Sequence, residues 1–209
     1  MRVLVTAGPT RERLDPVRFL SNDSSGRMGF ALAEAAARAG HRVTLVAGPV
    51  ELPTPAGVRR IDVESCLEML AACRKAFRNA DLLVMAAAVA DWRPARVLPG
   101  KWRAKDGGAR RTSLALVRTP DILATLAARK GRRIVCGFAL ETGAGERRAR
   151  AKLARKGLDA IVLNDAAVLR SARTRVQLFG RDGSRAEFAG PKLRVARDLV
   201  RALEQLARR

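Results

Sequence analysis

The sequence predicts a doubly wound α/β domain: a three-layer sandwich on a mostly parallel sheet, with an antiparallel hairpin at one edge. Three observations carry this. Short apolar runs with β-branched residues alternate with helix-forming stretches from the N-terminus onward, the pattern of consecutive β-α-β units. The most apolar run, Asp81–Ala90, shows no polar alternation, as a strand buried on both faces of a parallel sheet requires. Near the C-terminus, Val176–Phe179 and Arg185–Phe188 flank an Asp182-Gly183 turn, which is a hairpin signal.

In chain order, Arg2–Thr6 is the first strand, and Ala7-Gly-Pro-Thr10 ends it with turn residues. A polar connection, Arg18–Gly29, leads into a helix over Phe30–Ala39 that stops at Gly40. Strands follow at His41–Ala47 and Val58–Val63, then a helix over Glu64–Phe77 with Leu67, Leu70, Ala71 and Phe77 at helical spacing. After the central strand, Pro94–Ser113 is irregular and basic, with Lys101, Arg103, Lys105, Arg110 and Arg111 around Asp106-Gly-Gly108. A loop of that length is expected to be a lid or a partner-contacting arm. Pro120 suits the first turn of a helix running to Ala128. Ile134–Ala139 is another interior strand, ending in Leu140-Glu-Thr-Gly143, and the helix Glu146–Lys156 puts Lys152 and Lys156 on one face. Leu158–Leu163 is a further parallel strand with Asn164-Asp165 at its carboxyl end. An amphipathic helix over Lys192–Arg208, with Leu193, Ala196, Leu199, Val200 and Leu203 inward, closes the chain.

With 209 residues, 48% of them hydrophobic, and no linker-like shift in composition, one domain over residues 1–209 is expected. No apolar run approaches membrane-spanning length, and the N-terminus enters a strand directly; a cytoplasmic protein is expected. Cys66, Cys73 and Cys136 have no metal-ligand spacing and read as buried free thiols. His41 is the only histidine and reads as structural, which excludes a histidine-based triad. The net charge of +21 attracts polyanions. Because the arginines are scattered and aromatics are few, a solvated basic surface is favoured over a nucleic-acid interface.

The expected ligand site lies between the first strand and the first helix. Asn22, Asp23, Ser24 and Ser25 stand just ahead of that helix, where free N–H groups and the positive dipole end favour a phosphate. The same residues serve equally well as ordinary N-caps. No Gly-x-Gly-x-x-Gly fingerprint is present, which argues against a nicotinamide or flavin dinucleotide, and neither a Walker lysine loop nor a Gly-x-Ser-x-Gly elbow occurs. At the end of the central strand, Ala86, Ala87 and Ala88 either admit a ligand to the backbone or let a helix pack closely. Polar residues at four strand ends, Asn22, Asp91, Glu141 and Asn164, imply a phosphate-bearing ligand near the switch point of the sheet. They name no reaction.

The ordered motifs resemble a known family. Asp15-Pro-Val-Arg-Phe-Leu-Ser-Asn-Asp-Ser-Ser-Gly-Arg-Met-Gly-Phe-Ala31, Ala87-Ala-Val-Ala-Asp-Trp-Arg93, Pro120-Asp-Ile-Leu123, Gly137-Phe-Ala-Leu-Glu-Thr142 and Lys152-Leu-Ala-Arg-Lys156 with Asp159–Asp165 look like phosphopantothenoylcysteine synthetase. That enzyme is the C-terminal half of the bifunctional coenzyme A biosynthesis flavoprotein in many bacteria. The resemblance runs over almost the whole chain and implies a Rossmann-like ligase that is either stand-alone or the excised half. In its reaction the carboxylate of 4'-phosphopantothenate attacks the α-phosphate of CTP, releasing pyrophosphate, and the amine of cysteine then displaces CMP from the acyl-cytidylate.

Carried over by position, the resemblance makes Asn22 the catalytic asparagine and Lys101 the first lysine of a basic loop that closes over the intermediate. Arg18, Ser24, Ser25, Gly26, Met28 and Ala88 are implied to bind the substrate and intermediate. Ala86, Ala87, Asp91, Lys101, Pro120, Asp121, Ile122, Leu123, Phe138, Lys152, Lys156 and Asn164 are implied to bind the nucleotide, with Mg2+ held through its phosphates and no flavin in this chain. The resemblance also implies a homodimer in which the basic loop reaches the partner's site, and admits a separate phosphopantothenoylcysteine decarboxylase as a partner. Two stretches depart from the family: Lys101-Trp-Arg-Ala-Lys105 stands for Lys-x-Lys-Lys, and Thr119-Pro-Asp121 for Asn-Pro-Asp. The altered loop and the net charge keep a catalytically inactive anion- or nucleic-acid-binding domain as the alternative. A short-chain-type oxidoreductase is disfavoured by the missing glycine fingerprint and the absence of tyrosine.

Overall fold

The computed structural model describes residues 1–103, 111–141, 145–165 and 172–208. Lys105, Asp106–Gly108 and Arg110 of the basic loop, and Thr142 and Gly143 after the predicted strand Ile134–Ala139, lie outside the described residues. Eight strands form one sheet in the order β12-β11-β10-β9-β6-β1-β4-β5. The first strand, β1 (Arg2–Ala7), pairs in parallel with both β4 (Arg42–Ala47) and β6 (Leu82–Met85). From β4 the parallel run continues to β5 (Val58–Asp62), and from β6 to β9 (Ile134–Glu141) and β10 (Ala160–Asp165). β11 (Arg173–Gly180) and β12 (Arg185–Pro191) add the antiparallel edge. The chain leaves β1 toward β4 and later returns to its other side as β6, so the switch point lies between β1 and β6.

Helices cover both faces. α1 (Arg27–Arg38) and α5 (Lys192–Ala207) share one apolar layer with Val3, Val5, Leu45 and Val84 of the sheet. α2 (Cys66–Phe77), α3 (Ile122–Ala127) and α4 (Gly145–Arg155) share the other with Leu4, Val46, Leu83 and Ile161. A fully buried leucine such as Leu4, Leu83 or Leu199 contributes about 2 kcal/mol through the apolar area it removes from water. Among the described residues no helix is long and apolar enough to cross a membrane.

Several expectations are corrected by the local chemistry. The central strand stops at Met85 rather than Ala90, because Ala86–Ala90 leave the ladder and bond to side chains and turns after β1 instead. Two short hairpins, β2 (Arg11–Arg13) with β3 (Phe19–Ser21) and β7 (Trp92–Pro94) with β8 (Leu116–Arg118), occupy segments to which the sequence pattern assigns no strand. α1 begins at Arg27, three residues before Phe30, because Gly26 turns the chain in left-handed geometry (φ 71°). The inward face of α2 is Cys66, Met69, Leu70, Cys73 and Phe77, while Leu67 and Ala71 are exposed; two cysteines behave there as small apolar residues. Ser65 caps α2 by accepting from the Glu68 N–H, and Glu68 in turn accepts from the Glu64 N–H at 2.9 Å. Pro120 lies outside α3, whose cap is Asp121, accepting from the Ala124 N–H at 2.9 Å. In α5 Val195 is fully buried and Leu193 only partly so.

His41 meets the expectation of a structural role: its Nε2 lies 2.6 Å from Glu204 Oε1 of α5. The three thiols are free and buried. Burial pushes Cys66 up to about 11 and Cys73 up to about 12, and raises Cys136 as well. All three therefore stay protonated and unreactive near neutral pH.

α1 approaches the sheet closely at Gly29. A Cβ there would stand 2.5 Å from Ala7 Cβ and 2.9 Å from the Thr6 carbonyl. Gly29→Ala is expected to destabilise the fold by about 1–3 kcal/mol despite the better helix propensity of alanine, since the backbone must move to admit the methyl. Urea unfolding followed by circular dichroism measures it; an unchanged midpoint would show that α1 does not sit this close.

Candidate functional site

Two segments meet at the carboxyl end of the sheet: the turns after β1 and the extended stretch after β6. Thr6 and Thr10 are fully buried. Their hydroxyls accept from the Ala87 N–H (3.1 Å) and the Ala90 N–H (3.0 Å). Between them the Ala88 N–H donates to the Gly8 carbonyl (2.9 Å), and the Ala88 carbonyl accepts from the Thr10 N–H (3.3 Å) and from Asn22 Nδ2 (3.0 Å). Asn22 is thereby held against Ala88 across 66 residues of sequence. The end of β4 closes the same corner, since a Cβ on Gly48 would fall 1.7 Å from the Pro9 carbonyl oxygen.

This seam lies between two clefts. The first, about 520 Å³, is walled by the Asn22–Gly29 segment, Ala86–Val89, the end of β9 at Phe138–Leu140, Asn164 and Lys192. The second, about 490 Å³, is walled by Trp92, the Arg118–Leu123 segment, Arg155 and Lys156. Ala87, Val89, Asp91, Phe138 and Lys152 line both. The clefts therefore meet at a junction where small alanines leave the backbone open and one lysine projects.

Lys152 at that junction is half-buried and donates to the Phe138 carbonyl at 2.8 Å. Burial, and then the neighbouring Lys156, hold its ammonium below the ordinary lysine range, only partly opposed by Asp121, Glu141 and Asp91. Lys156 pairs with Asp121 at 2.6 Å. Burial pushes the Asp121 carboxyl up, but the Ala124 N–H and Lys156 outweigh it and keep the group below the usual carboxylate range. The Thr119 hydroxyl donates to the Ala90 carbonyl at 2.6 Å, which ties the Pro120–Leu123 turn to the same seam.

Most residues singled out from the sequence come together here. Asn22, Ser24, Ser25, Gly26, Met28, Ala86, Ala88 and Asn164 line the first cleft; Pro120, Asp121, Ile122, Leu123 and Lys156 line the second; Ala87, Asp91, Phe138 and Lys152 line both. Arg18 and Lys101 line neither. Arg18 instead donates to the Trp102 carbonyl, lies 6.0 Å from the Trp102 ring, and has its Nε 3.7 Å from Asp15. The fully buried Asp15 carboxylate accepts from the N–H groups of Trp102 (3.0 Å), Val17 and Arg18 (both 2.7 Å). These donors, Trp102 foremost, keep its carboxyl below the usual range. Arg18 and Asp15 thus fasten the root of the basic loop, with exposed Lys101 beside it.

Sequence reasoning missed Val89, Thr119, Arg155, Arg27 and Lys192 among the lining or supporting residues. A signal existed for the last two: each opens a helix with a cation, where the helix dipole favours an acid. No group of three or more His, Cys, Asp or Glu side chains able to hold a metal ion occurs among the described residues. A divalent cation here fits only as a companion of a ligand that brings its own oxygen atoms, such as a nucleoside triphosphate.

Comparison with known proteins agrees with this geometry. The family model described as the DNA/pantothenate metabolism flavoprotein C-terminal domain matches residues 1–206. The coenzyme A biosynthesis bifunctional protein CoaBC of Vibrio cholerae is 52% identical over 168 residues, 80% of this chain and 42% of the relative. The protein of the same name from Escherichia coli is 46% identical over 190 residues, 88% of this chain and 47% of the relative. The chain thus spans somewhat under half the length of these relatives. The crystal structure of the C-terminal domain of CoaBC superposes with a TM-score of 0.85 at 39% identity, covering 99% of this chain and 95% of that one. By sequence and by fold, the chain belongs to the family of the DNA/pantothenate metabolism flavoprotein C-terminal domain.

Proposed function

We propose that this chain is a phosphopantothenate–cysteine ligase, which activates 4'-phosphopantothenate with CTP and couples it to cysteine. The observation that carries this is the junction of two clefts across one stitched segment, with Asn22 bonded to Ala88 on one side and Lys152 projecting between them. Such a site brings two anionic reactants end to end, and fixed donors and cations are what offset their repulsion. The acid occupies the first cleft and the nucleotide the second. The carboxylate oxygen attacks the α-phosphorus, the bond to the β-phosphate oxygen breaks, and pyrophosphate leaves. The cysteine amine then adds to the acyl carbon, loses a proton, and expels CMP.

Each side chain has a role in that sequence. Asn22 spends one amide hydrogen on Ala88, which aims the rest of the amide at the acyl-phosphate oxygen atoms. Lys152 and Lys156 neutralise phosphate charge, and Asp121 holds Lys156 in place. Mg2+, when bound, screens the triphosphate, with the nucleotide as its main source of ligands.

Lys101 and Arg18 lie outside both clefts of their own chain, and the dimer implied for this reading accounts for that. The arm built from the two small hairpins exposes Val17, Phe19, Trp92, Val97, Leu116 and Val117, an apolar surface of the kind that marks a protein contact. A second copy covers it and receives Lys101 of the basic loop at its own clefts. A decarboxylase acting on the product, fused or separate, is the further partner this reading implies.

The test is pyrophosphate release from protein, 4'-phosphopantothenate, cysteine and Mg2+ with each of the four nucleoside triphosphates. CTP is expected to be the best, and Asn22→Ala is expected to reduce kcat on the order of 100-fold. Release with none of the four, together with salt-sensitive binding to RNA or DNA, would instead make the chain an anion-binding domain.

Bound phosphate restores the ammonium of Lys152, so nucleotide binding takes up a proton wherever that lysine is neutral in the free protein. CTP affinity is therefore expected to be full at lower pH and to fall as pH rises through the depressed value of Lys152, earlier than for an ordinary lysine. Calorimetry across pH measures it, and Lys152→Arg should flatten the profile. Sedimentation tests the arm: wild type is expected at twice the chain mass, and the Val17→Glu, Leu116→Glu double variant at the mass of one chain. A monomeric wild type would remove the dimer.

A further inference from the structure

Asn22 is exposed, and a side chain in such a place keeps one orientation only if the groups around it are fixed. Thr10, which is fully buried, is the residue that fixes them. Its carbonyl accepts from the Ser21 hydroxyl at 2.8 Å, which anchors the chain one residue before Asn22. Its N–H donates at 3.3 Å to the Ala88 carbonyl, the acceptor of the Asn22 amide. Its hydroxyl accepts from the Ala90 N–H at 3.0 Å, so the extended segment is gripped on both sides of Val89. The Ala90 carbonyl in turn accepts from the Thr119 hydroxyl at 2.6 Å, and the Thr119 N–H donates to the Asp91 carbonyl at 3.0 Å. One buried residue thus links the asparagine of the first cleft with the turn that walls the second.

A hydroxyl that only satisfied a buried N–H would need none of these further links. Thr6 is the comparison within the same seam: it is equally buried and its hydroxyl accepts from the Ala87 N–H at 3.1 Å, but it grips neither Ser21 nor the Ala88 carbonyl. We infer that Thr10 is a positioning residue of the ligase reaction, which aims the Asn22 amide through Ser21 and Ala88 and keeps it in register with the Thr119–Leu123 turn through Ala90. This role rests on the ligase reading, in which the acid's carboxylate lies by Asn22 and the α-phosphate on the side of that turn. Reacting atoms must meet at about 3–3.5 Å, yet the two reactants are held by different segments. A shared anchor sets the offset between them. Without the Thr10 hydroxyl the buried Ala90 N–H loses its partner, and the extended segment shifts to recover one, carrying the Ala88 carbonyl with it. Thr10 itself lines neither cleft, so its loss acts on alignment rather than on binding.

The experiment is steady-state pyrophosphate release with 4'-phosphopantothenate and CTP each varied, for wild type, Thr10→Val, Thr10→Ser, Thr6→Val, Asn22→Ala and the Thr10→Val, Asn22→Ala double variant, with urea unfolding of each. Thr10→Val is expected to lower kcat about 10- to 100-fold, as a misplacement of about 1 Å does, while KM for both substrates stays within about threefold. Thr10→Ser keeps the hydroxyl and should restore most of kcat. Thr6→Val should lose as much stability but far less kcat. On the Asn22→Ala background Thr10→Val should cost little more, because there is no amide left to aim. A merely structural threonine would instead give equal losses of kcat in Thr6→Val and Thr10→Val, and multiplying losses in the double variant; either result overturns the inference. If Thr10→Val does not fold, Ser21→Ala and Thr119→Val cut the outer bonds of the same link. Both are then expected to lower kcat in the wild-type background and to cost little more without Asn22, and an unchanged kcat in both overturns the inference. Absence of turnover in wild type sinks the ligase reading and this role with it, whereas an active wild type with independent losses at Thr10 and Asn22 overturns this role alone.

Discussion

The carbonyl of Ala88 is the point on which the site depends. It accepts from the Thr10 N–H and from Asn22 Nδ2, while its own N–H is spent on Gly8. A strand that continued past Met85 would have carried this carbonyl into a ladder, leaving nothing for the asparagine to grip. The chain instead releases Ala86–Ala90 from the sheet and satisfies their backbone groups through Thr6 and Thr10, two hydroxyls with no exposure. Buried backbone groups must be paired somewhere, and here the pairing itself builds the wall between two clefts. Alanine is the residue type this permits, because a larger side chain at Ala87 would fill the junction.

Charge is placed by a different logic inside the clefts and outside them. Surface ion pairs such as Arg38 with Glu34 contribute about 0–1 kcal/mol each. Within the clefts the lysines Lys152, Lys156 and Lys192 are more deeply buried, and two of them, Lys152 and Lys192, are held below their ordinary range by burial first and a neighbouring cation second. The two lysines stand on opposite sides of the sheet. The spacing of the cations, rather than their number, distinguishes this site from the generally basic surface.

Much of this was legible in the sequence, and the reasons for success and failure are physical. Parallel strands announce themselves because burial on both faces demands continuous apolar runs, and the edge hairpin because Asp182-Gly183 can hardly be anything else. The Asn22–Gly29 segment was legible as a helix entrance from its small polar residues. What sequence periodicity could not show was where a strand ends for want of hydrogen-bond partners. Asp81–Ala90 looks uniform as a string of apolar residues, yet hydroxyls some 80 positions earlier divide it. Helix faces were misassigned for a similar reason: Cys66 and Cys73 bury as well as leucine does, and Leu67 is left outside. Lys192 was invisible because its partners, the clefts and α1, are assembled only by the tertiary fold.

The position of Lys101 follows from how an activated acyl group must be handled. On the ligase reading the acyl-cytidylate is a species that water destroys, so the group that completes its enclosure has to arrive after both reactants are seated. A lysine fixed in the cleft wall would already be paired or would block entry. Lys101 is exposed, but the residue after it is not free: Trp102 is held by Asp15 through its N–H and by Arg18 through its carbonyl. Asp15 is completely buried and accepts from three backbone donors, which ties the root of the basic loop to the segment after β2. On the ligase reading, Lys101 therefore stands beside a fastened residue and near apolar residues that a second copy would cover. On that reading the contact between copies would set the direction in which Lys101 reaches, and assembly of the pair would be coupled to completion of each site.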